Sequence, residues 1–251
     1  MPTTRVDLHV KVLDDRVVRR AKAAGVDVLV YAPHFTRLPD VRERAAAFSD
    51  DDLLVVPARE VFTGSWRDRK HVLAVGLDDP VPDFVTLDGA FAEFRRQDAA
   101  VLAPHPGFLN VSLDAADVER FRDDLDAVET YNPKLLGYHA ERSRSLADAY
   151  DVPAFASSYA HRRETVGGVW TEFDAAVDDE ADLVDALKSG VDRRTYVGRS
   201  PRHRTRALVE KLHLAYENTW EKVDRILLSG MEPTHPRHIA YGGDFDDVAV
   251  Y

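Results

Sequence analysis

The sequence predicts an α/β protein: a parallel sheet with helices packed outside it, either closed as a barrel or open and doubly wound. Three observations lead there. Strand-like and helix-like segments alternate along the 251 residues, as in successive strand–helix units. Roughly seven such units follow one another, enough for a sheet of barrel size. No glycine-rich loop follows the first strand, so dinucleotide or P-loop binding lacks its signature.

The elements come in order. "RVDLHVKV" (5–12) alternates, with Val6, Leu8, Val10 and Val12 on one face and Asp7, His9 and Lys11 on the other, the period of a strand. "DDRVVRRAKAAG" is a helix with Asp14 or Asp15 as N-cap and Gly25 as stop. "VDVLVYAP" is a buried strand by its β-branched content. "LPDVRERAAAFS" reads as a helix, and "DLLVVPARE" and "RKHVLAVGL" as strands. "TLDGAFAEFRRQDA" is a helix and "AAVLAPHPG" a strand. "SLDAADVERFRDD" is a helix with Ser112 as a plausible cap. "DAVETYNP", "VPAFASSYAH", "GGVWTEF" and "RRTYVG" are strands, separated by the helices "LLGYHAERSRSLADAY" and "DEADLVDALKSG". A long helix is expected from Ser200 to Gly230, with Pro201 as its first residue. The final stretch has no clear period.

Composition narrows the chemistry. There is no cysteine, which excludes disulfides and thiolate zinc sites. The net charge is −11, a poor match to nucleic acid, whose binders need a basic footprint. No run has the length of a membrane span and no apolar leader segment is present, so the expected compartment is the cytoplasm.

The histidines carry the sharper signal. His9, His34, His105 and His161 fall at or near the C-terminal ends of predicted strands, and Glu60 closes "PARE". His71 lies near a strand start and reaches the same end if its strand runs back across the site. In α/β barrels those ends build the active face. Imidazoles and a carboxylate converging there can hold a cation such as Zn²⁺ or Mn²⁺.

In this order the residues resemble the polymerase-and-histidinol-phosphatase (PHP) family of metal-dependent phosphoesterases. "DLHVK" is similar to the family's opening Asp-Leu-His-x-His, "VYAPH" to its second histidine step, and "SSYAH" to its Ser-Asp-Ala-His. Glu60, His71 and "PHPG" with His105 stand in its middle motifs. The resemblance runs from about residue 5 to about residue 175. It implies a distorted seven-stranded β/α barrel over residues 1–200, with residues 201–251 as a C-terminal helix and tail on the same domain.

The resemblance also implies metal ligands: Glu60, His71 and His105 at one centre, His34 and His161 at another, and His9 with the shared Glu60 at a third. Where the family has a histidine, an aspartate and another aspartate, this chain has Lys11, Tyr159 and Pro33. One or two divalent ions, zinc or manganese, are therefore expected rather than three. Lys11 would act with His9 in catalysis, replacing a lost cation with a fixed ammonium that neutralises a phosphate oxygen. Arg162 and Arg163 are the preferred phosphate-binding pair, and Arg37 and Lys134 also lie near the motifs.

The expected function is metal-dependent hydrolysis of a phosphate ester, with a small phosphorylated metabolite or a nucleotide as substrate. The alternatives are a nuclease trimming oligonucleotides and a PHP-fold binding protein that has lost turnover. A membrane partner is not expected.

Overall fold

The computed structural model describes residues 2–65, 68–107, 111–135, 137–198, 209 and 233–250. Its strands are β1 (Thr4–Val10), β2 (Val28–Tyr31), β3 (Leu54–Ser65), β4 (Asp68–Val75), β5 (Ala100–Ala103), β6 (Ala127–Tyr131), β7 (Ala154–Ala156), β8 (Val169–Phe173) and β9 (Arg193–Val197). Its helices are α1 (Asp15–Ala24), α2 (Leu38–Phe48), α3 (Leu87–Arg96), α4 (Ala115–Arg120), α5 (Gly137–Tyr150) and α6 (Glu180–Lys188). Among the described residues the sheet therefore has nine strands, ordered β7-β6-β5-β4-β3-β2-β1-β8-β9, where seven were expected.

The pairing departs from an all-parallel sheet at two places. β3 and β4 form an antiparallel hairpin with Phe62 opposite His71, and β4 is antiparallel to β5. β8 is antiparallel to both β1 and β9. Gly64, paired with Arg69 next to the end of β3, is left-handed at φ +75°. A Cβ there would lie 2.1 Å from the Asp68 carbonyl oxygen, so only glycine fits.

The sheet curls until its ends nearly meet. Val10 bridges Ala160 in parallel, and the Lys11 amide donates to the Ala160 carbonyl at 2.9 Å. At the seam between β7 and β8 the Thr171 hydroxyl accepts from the Ala156 amide and donates to the Ala156 carbonyl, both at 2.9 Å.

One core cluster draws residues from β1 to β8, including Leu8, Val30, Leu73, Leu102, Phe155 and Phe173, with Leu183 and Leu187 of α6. A set drawn from eight successive strands is the inside of a curled sheet. Two further clusters seat α1 and α2, and α3 and α4, against the outside. The alternation of β1 was expected to give one apolar and one polar face. Instead Asp7 and His9 are as fully buried as Val6 and Leu8, because both faces of a barrel strand are covered.

Helix ends follow local chemistry. The Asp14 carboxylate caps α1 by accepting from the amides of Arg16 and Val17, and Gly25 ends it at φ +71°. The cap of α4 is Asp114, in a reciprocal capping box with Asp117, and not Ser112.

The helix expected from Ser200 to Gly230 lies outside the described residues, apart from Val209. Residues 233–250 run beside the segment after β4. The Asp83 amide donates to Thr234, Thr86 to Val248, and the Val250 amide to Phe84. Among the described residues no helix is long and apolar enough to cross a membrane.

Candidate metal centre

Glu60 is the hub of the site. It does not end its strand as expected, because β3 continues five residues beyond it with Val61 and Phe62 buried. Its fully buried carboxylate divides its two oxygens between two groups of side chains. Oε1 lies 3.3 Å from His71 Nδ1 and 3.2 Å from His105 Nε2. Oε2 lies 2.5 Å from Lys11 Nζ, 2.8 Å from His34 Nε2 and 3.6 Å from His9 Nε2.

Antiparallel β4 brings His71 here, since the start of a reversed strand shares a barrel end with the finish of the forward ones. The Phe62 ring stacks flat on His71, with centroids 3.8 Å apart and 2° between planes, and so fixes the imidazole. The Ser112 hydroxyl meets His105 Nδ1 at 2.8 Å, which leaves Nε2 facing Glu60. That is the outer contact that usually orients a histidine ligand.

Glu60, His71 and His105 can hold an ion: their ligand atoms all lie within 4.8 Å of one another. Donors sharing a tetrahedral ion at about 2 Å each stand roughly 3.3 Å apart, which matches the two contacts to Oε1. Both ring nitrogens of His71 and of His9 are buried without a hydrogen-bond partner. Buried polar atoms are normally satisfied, and a cation held with Glu60 and His105 would take up one nitrogen of His71.

Electrostatics keep the donors in ligating form. Burial, with the nearby Lys11 ammonium, pushes the His9 imidazole down to about 3, and burial pushes His71 down to about 4. His34 and His161 are held well below 6.5, first by burial, then by Lys11 and Lys134 respectively. Burial alone would raise Glu60, but Lys11, His9 and His71 outweigh it, and the carboxyl stays well below its usual range. Neutral imidazoles and an ionised carboxylate are the states a metal needs.

His161 stands apart from Oε1. Its Nδ1 meets the Tyr159 carbonyl at 3.1 Å and also contacts the Lys134 ammonium. Its ring centroid is 5.2 Å from that of His34. Arg162 and Arg163 pair with Glu164 and Asp14 at the surface. With Lys11, Arg44 and His161 they line a cleft of about 720 Å³.

Several supporting residues escaped the sequence reading. Glu129 accepts from the His105 amide at 2.9 Å, the Asn132 side chain at 2.8 Å and the Ser157 hydroxyl at 2.5 Å. It thereby holds His105 at φ +35°, a conformation that a non-glycine residue keeps only when its surroundings impose it. The carboxylate inside the apolar "AVETY" was the available signal. Asp7 accepts from the Ser158 amide at 2.9 Å and braces the chain after β7. Arg59 and Asp83 form a fully buried pair at 3.1 Å, and no pattern in the sequence joins them.

The family model described as PHP-associated matches residues 137–191. No curated protein sequence matches this chain. Among solved structures, PsfC from Pseudomonas syringae is similar with a TM-score of 0.64 and 19% identity, over 85% of this chain and 100% of that one. The lesion-specific endonuclease PfuEndoQ from Pyrococcus furiosus is similar at 0.55 and 14%, over 80% of this chain and 60% of that one. A Bifidobacterium adolescentis protein described as a metal-dependent phosphoesterase is similar at 0.51 and 14%, over 76% and 98%. The chain has the PHP-type fold.

The sequence differs from the PHP pattern at Lys11 and Tyr159, and in the structure these two meet. The Lys11 ammonium lies 5.9 Å from the Tyr159 ring, which packs 4.6 Å from His9.

This site predicts a pH dependence for the metal-free protein. Unfolded imidazoles take up protons near 6.5, while His9 and His71 in the folded chain resist until about 3 and about 4. The unfolded state therefore binds more protons as pH falls below 6.5, and stability drops through that window. Asp7, raised to about 7 by burial, acts oppositely: its contribution is complete below 3.8 and lost as pH rises toward 7. Glu129, which burial also raises, acts the same way as Asp7, and the four buried imidazoles outweigh both between pH 6.5 and pH 4.5; Glu60, held well below its usual range, adds to the loss only at lower pH. Thermal melts should show Tm falling steadily from pH 6.5 to pH 4.5, and a flat or rising Tm would contradict this account.

Proposed function

We propose that the chain is a divalent-metal-dependent hydrolase of phosphate esters, with a small phosphorylated molecule or a nucleotide as substrate. The observation that carries this is the convergence of His71, His105 and Glu60 Oε1 at tetrahedral-edge distances, next to a cleft lined by cationic side chains. Glu60, His71 and His105 would hold the ion, leaving a coordination position open, as catalytic sites do. Zinc or manganese suits this nitrogen and oxygen set. Such an ion acidifies water toward neutral pH and polarises a phosphoryl oxygen.

The chain's own residues do the rest. Arg162 and Arg163 exchange their surface carboxylate partners for phosphate. Exposed ion pairs of that kind contribute only about 0–1 kcal/mol, whereas forked guanidinium–phosphate bonds are charge-assisted and stronger. The Lys11 ammonium lines the inner part of the same cleft.

The likeness to an endonuclease favours a second reading, an oligonucleotide substrate, but the charge of −11 opposes it. The test is to strip the protein, reload it with Mn²⁺ or Zn²⁺, quantify bound metal, and assay a generic phosphomonoester and a short oligonucleotide. The monoester should be hydrolysed, and Arg162→Ala with Arg163→Ala should raise KM roughly tenfold or more with kcat little changed. Bound ion without turnover on a broad panel would replace this reading with a ligand-binding protein. A protein that binds no ion would end it.

A further inference from the structure

We infer that this centre works with a single divalent ion, and that two buried lysines, Lys11 and Lys134, supply the positive charge a second ion would bring. The inference rests on the metal-dependent reading above.

The Glu60 carboxylate is already divided. Oε1 faces His71 and His105, the pair that would ligate an ion with it. Oε2 faces Lys11 Nζ at 2.5 Å, and the same ammonium donates to the Ala32 carbonyl at 2.5 Å. A carboxylate oxygen and a backbone carbonyl are donors a hard cation would take. Here the ammonium holds both, anchored from the residue that follows β1, with only 8% of that residue exposed. A cation bridging through Oε2 would have to displace Nζ and leave a buried like charge beside it.

The remaining imidazole pair is guarded from its other side. His34 Nε2 shares Oε2 with the Lys11 ammonium, and His161 Nδ1 contacts the Lys134 ammonium. Lys134 is 2% exposed, held by its own amide on Asn132 at 2.9 Å and by the Tyr159 ring 4.3 Å from Nζ. A dication seated between His34 and His161 would thus face a fixed ammonium on each flank. Tyr159, at φ +43°, lies between the two lysines as a neutral aromatic wall where a carboxylate would attract a further ion. Two ammonium groups together carry the charge of one dication, and Lys11 lines the cleft from which a phosphoryl group would enter.

Native mass spectrometry and metal analysis test this without relying on turnover. The wild-type chain, titrated with Zn²⁺ or Mn²⁺ alone, should saturate at one ion. Lys11→His, and Lys11→His combined with Lys134→Met, should take up a second, and the Co²⁺-loaded proteins should show added visible absorption to match. Two ions on the wild type would overturn the inference while leaving the metal-dependent reading intact. One ion on wild type and on every variant would also overturn it, since the lysines would then not be what excludes the second. No ion on any of them would remove both readings. The wild-type stoichiometry decides even if a variant fails to fold.

Discussion

Glu60→Gln is expected to destabilise the fold by about 3–5 kcal/mol and to abolish ion binding together. The pair it breaks is buried, with the Lys11 side chain 4% exposed and Glu60 not at all. Removing one partner of such a pair leaves the other charge unpaired in a low-dielectric interior, which costs about 3–5 kcal/mol. Glutamine has nearly the same volume, so cavity formation adds little. Ion binding fails for a separate reason: among the described residues, Glu60 is the one carboxylate grouped with His71 and His105. The double variant Glu60→Gln with Lys11→Met separates the two effects. It removes both charges, so urea unfolding should recover most of the lost stability, while metal analysis should still find no bound ion. Retention of wild-type stability and of the ion by the single variant would refute the role of Glu60 as hub.

Asp83→Ala is expected to cost about 3–5 kcal/mol as well, out of the roughly 5–15 kcal/mol that stabilises a typical domain. Asp83 Oδ2 pairs with Arg59 at 3.1 Å, and Oδ1 accepts from the Phe62 amide at 2.8 Å. Arg59 also donates to the Thr36 carbonyl, so the pair ties β3 to the loop after His34. Loss of Asp83 leaves a fully buried guanidinium and releases Phe62, whose ring orients His71. Outer-contact losses of this kind lower metal affinity by about 10–100-fold. Urea unfolding and metal titration should therefore move together, and a stability change below about 1 kcal/mol would show that the pair is not what holds this corner.

How much of this could be read beforehand depended on how local the cause was. α1 was legible because Asp14 and Gly25 act on their own helix. The order of the histidines was legible because strand ends recur with the β/α alternation. The β3–β4 hairpin was not. A strand buried on both faces shows no alternation to mark its length, so Glu60 read as an end when it is the middle. Ser112 and Asp114 both suit an N-cap, and only tertiary contact decides that Asp114 caps α4 while Ser112 turns to His105. The Arg59–Asp83 pair and the contacts of Glu129 arise from juxtaposition across the barrel, which no spacing in the chain encodes. Lys11 stood out as an anomaly in "DLHVK", but its partner Ala32 carbonyl could not be named from sequence.

The seam closed by Thr171 has a consequence for how the protein behaves among its own copies. A sheet that stops short of closure presents an unpaired strand edge, and such edges recruit strands from neighbouring chains. At Ala156 the single hydroxyl of Thr171 occupies both the amide and the carbonyl, the two groups an incoming strand would need. β7 is only three residues long, so this one side chain takes up a large share of its pairing capacity. The barrel thereby gains resistance to edge-to-edge aggregation at the place where its own ladder runs out.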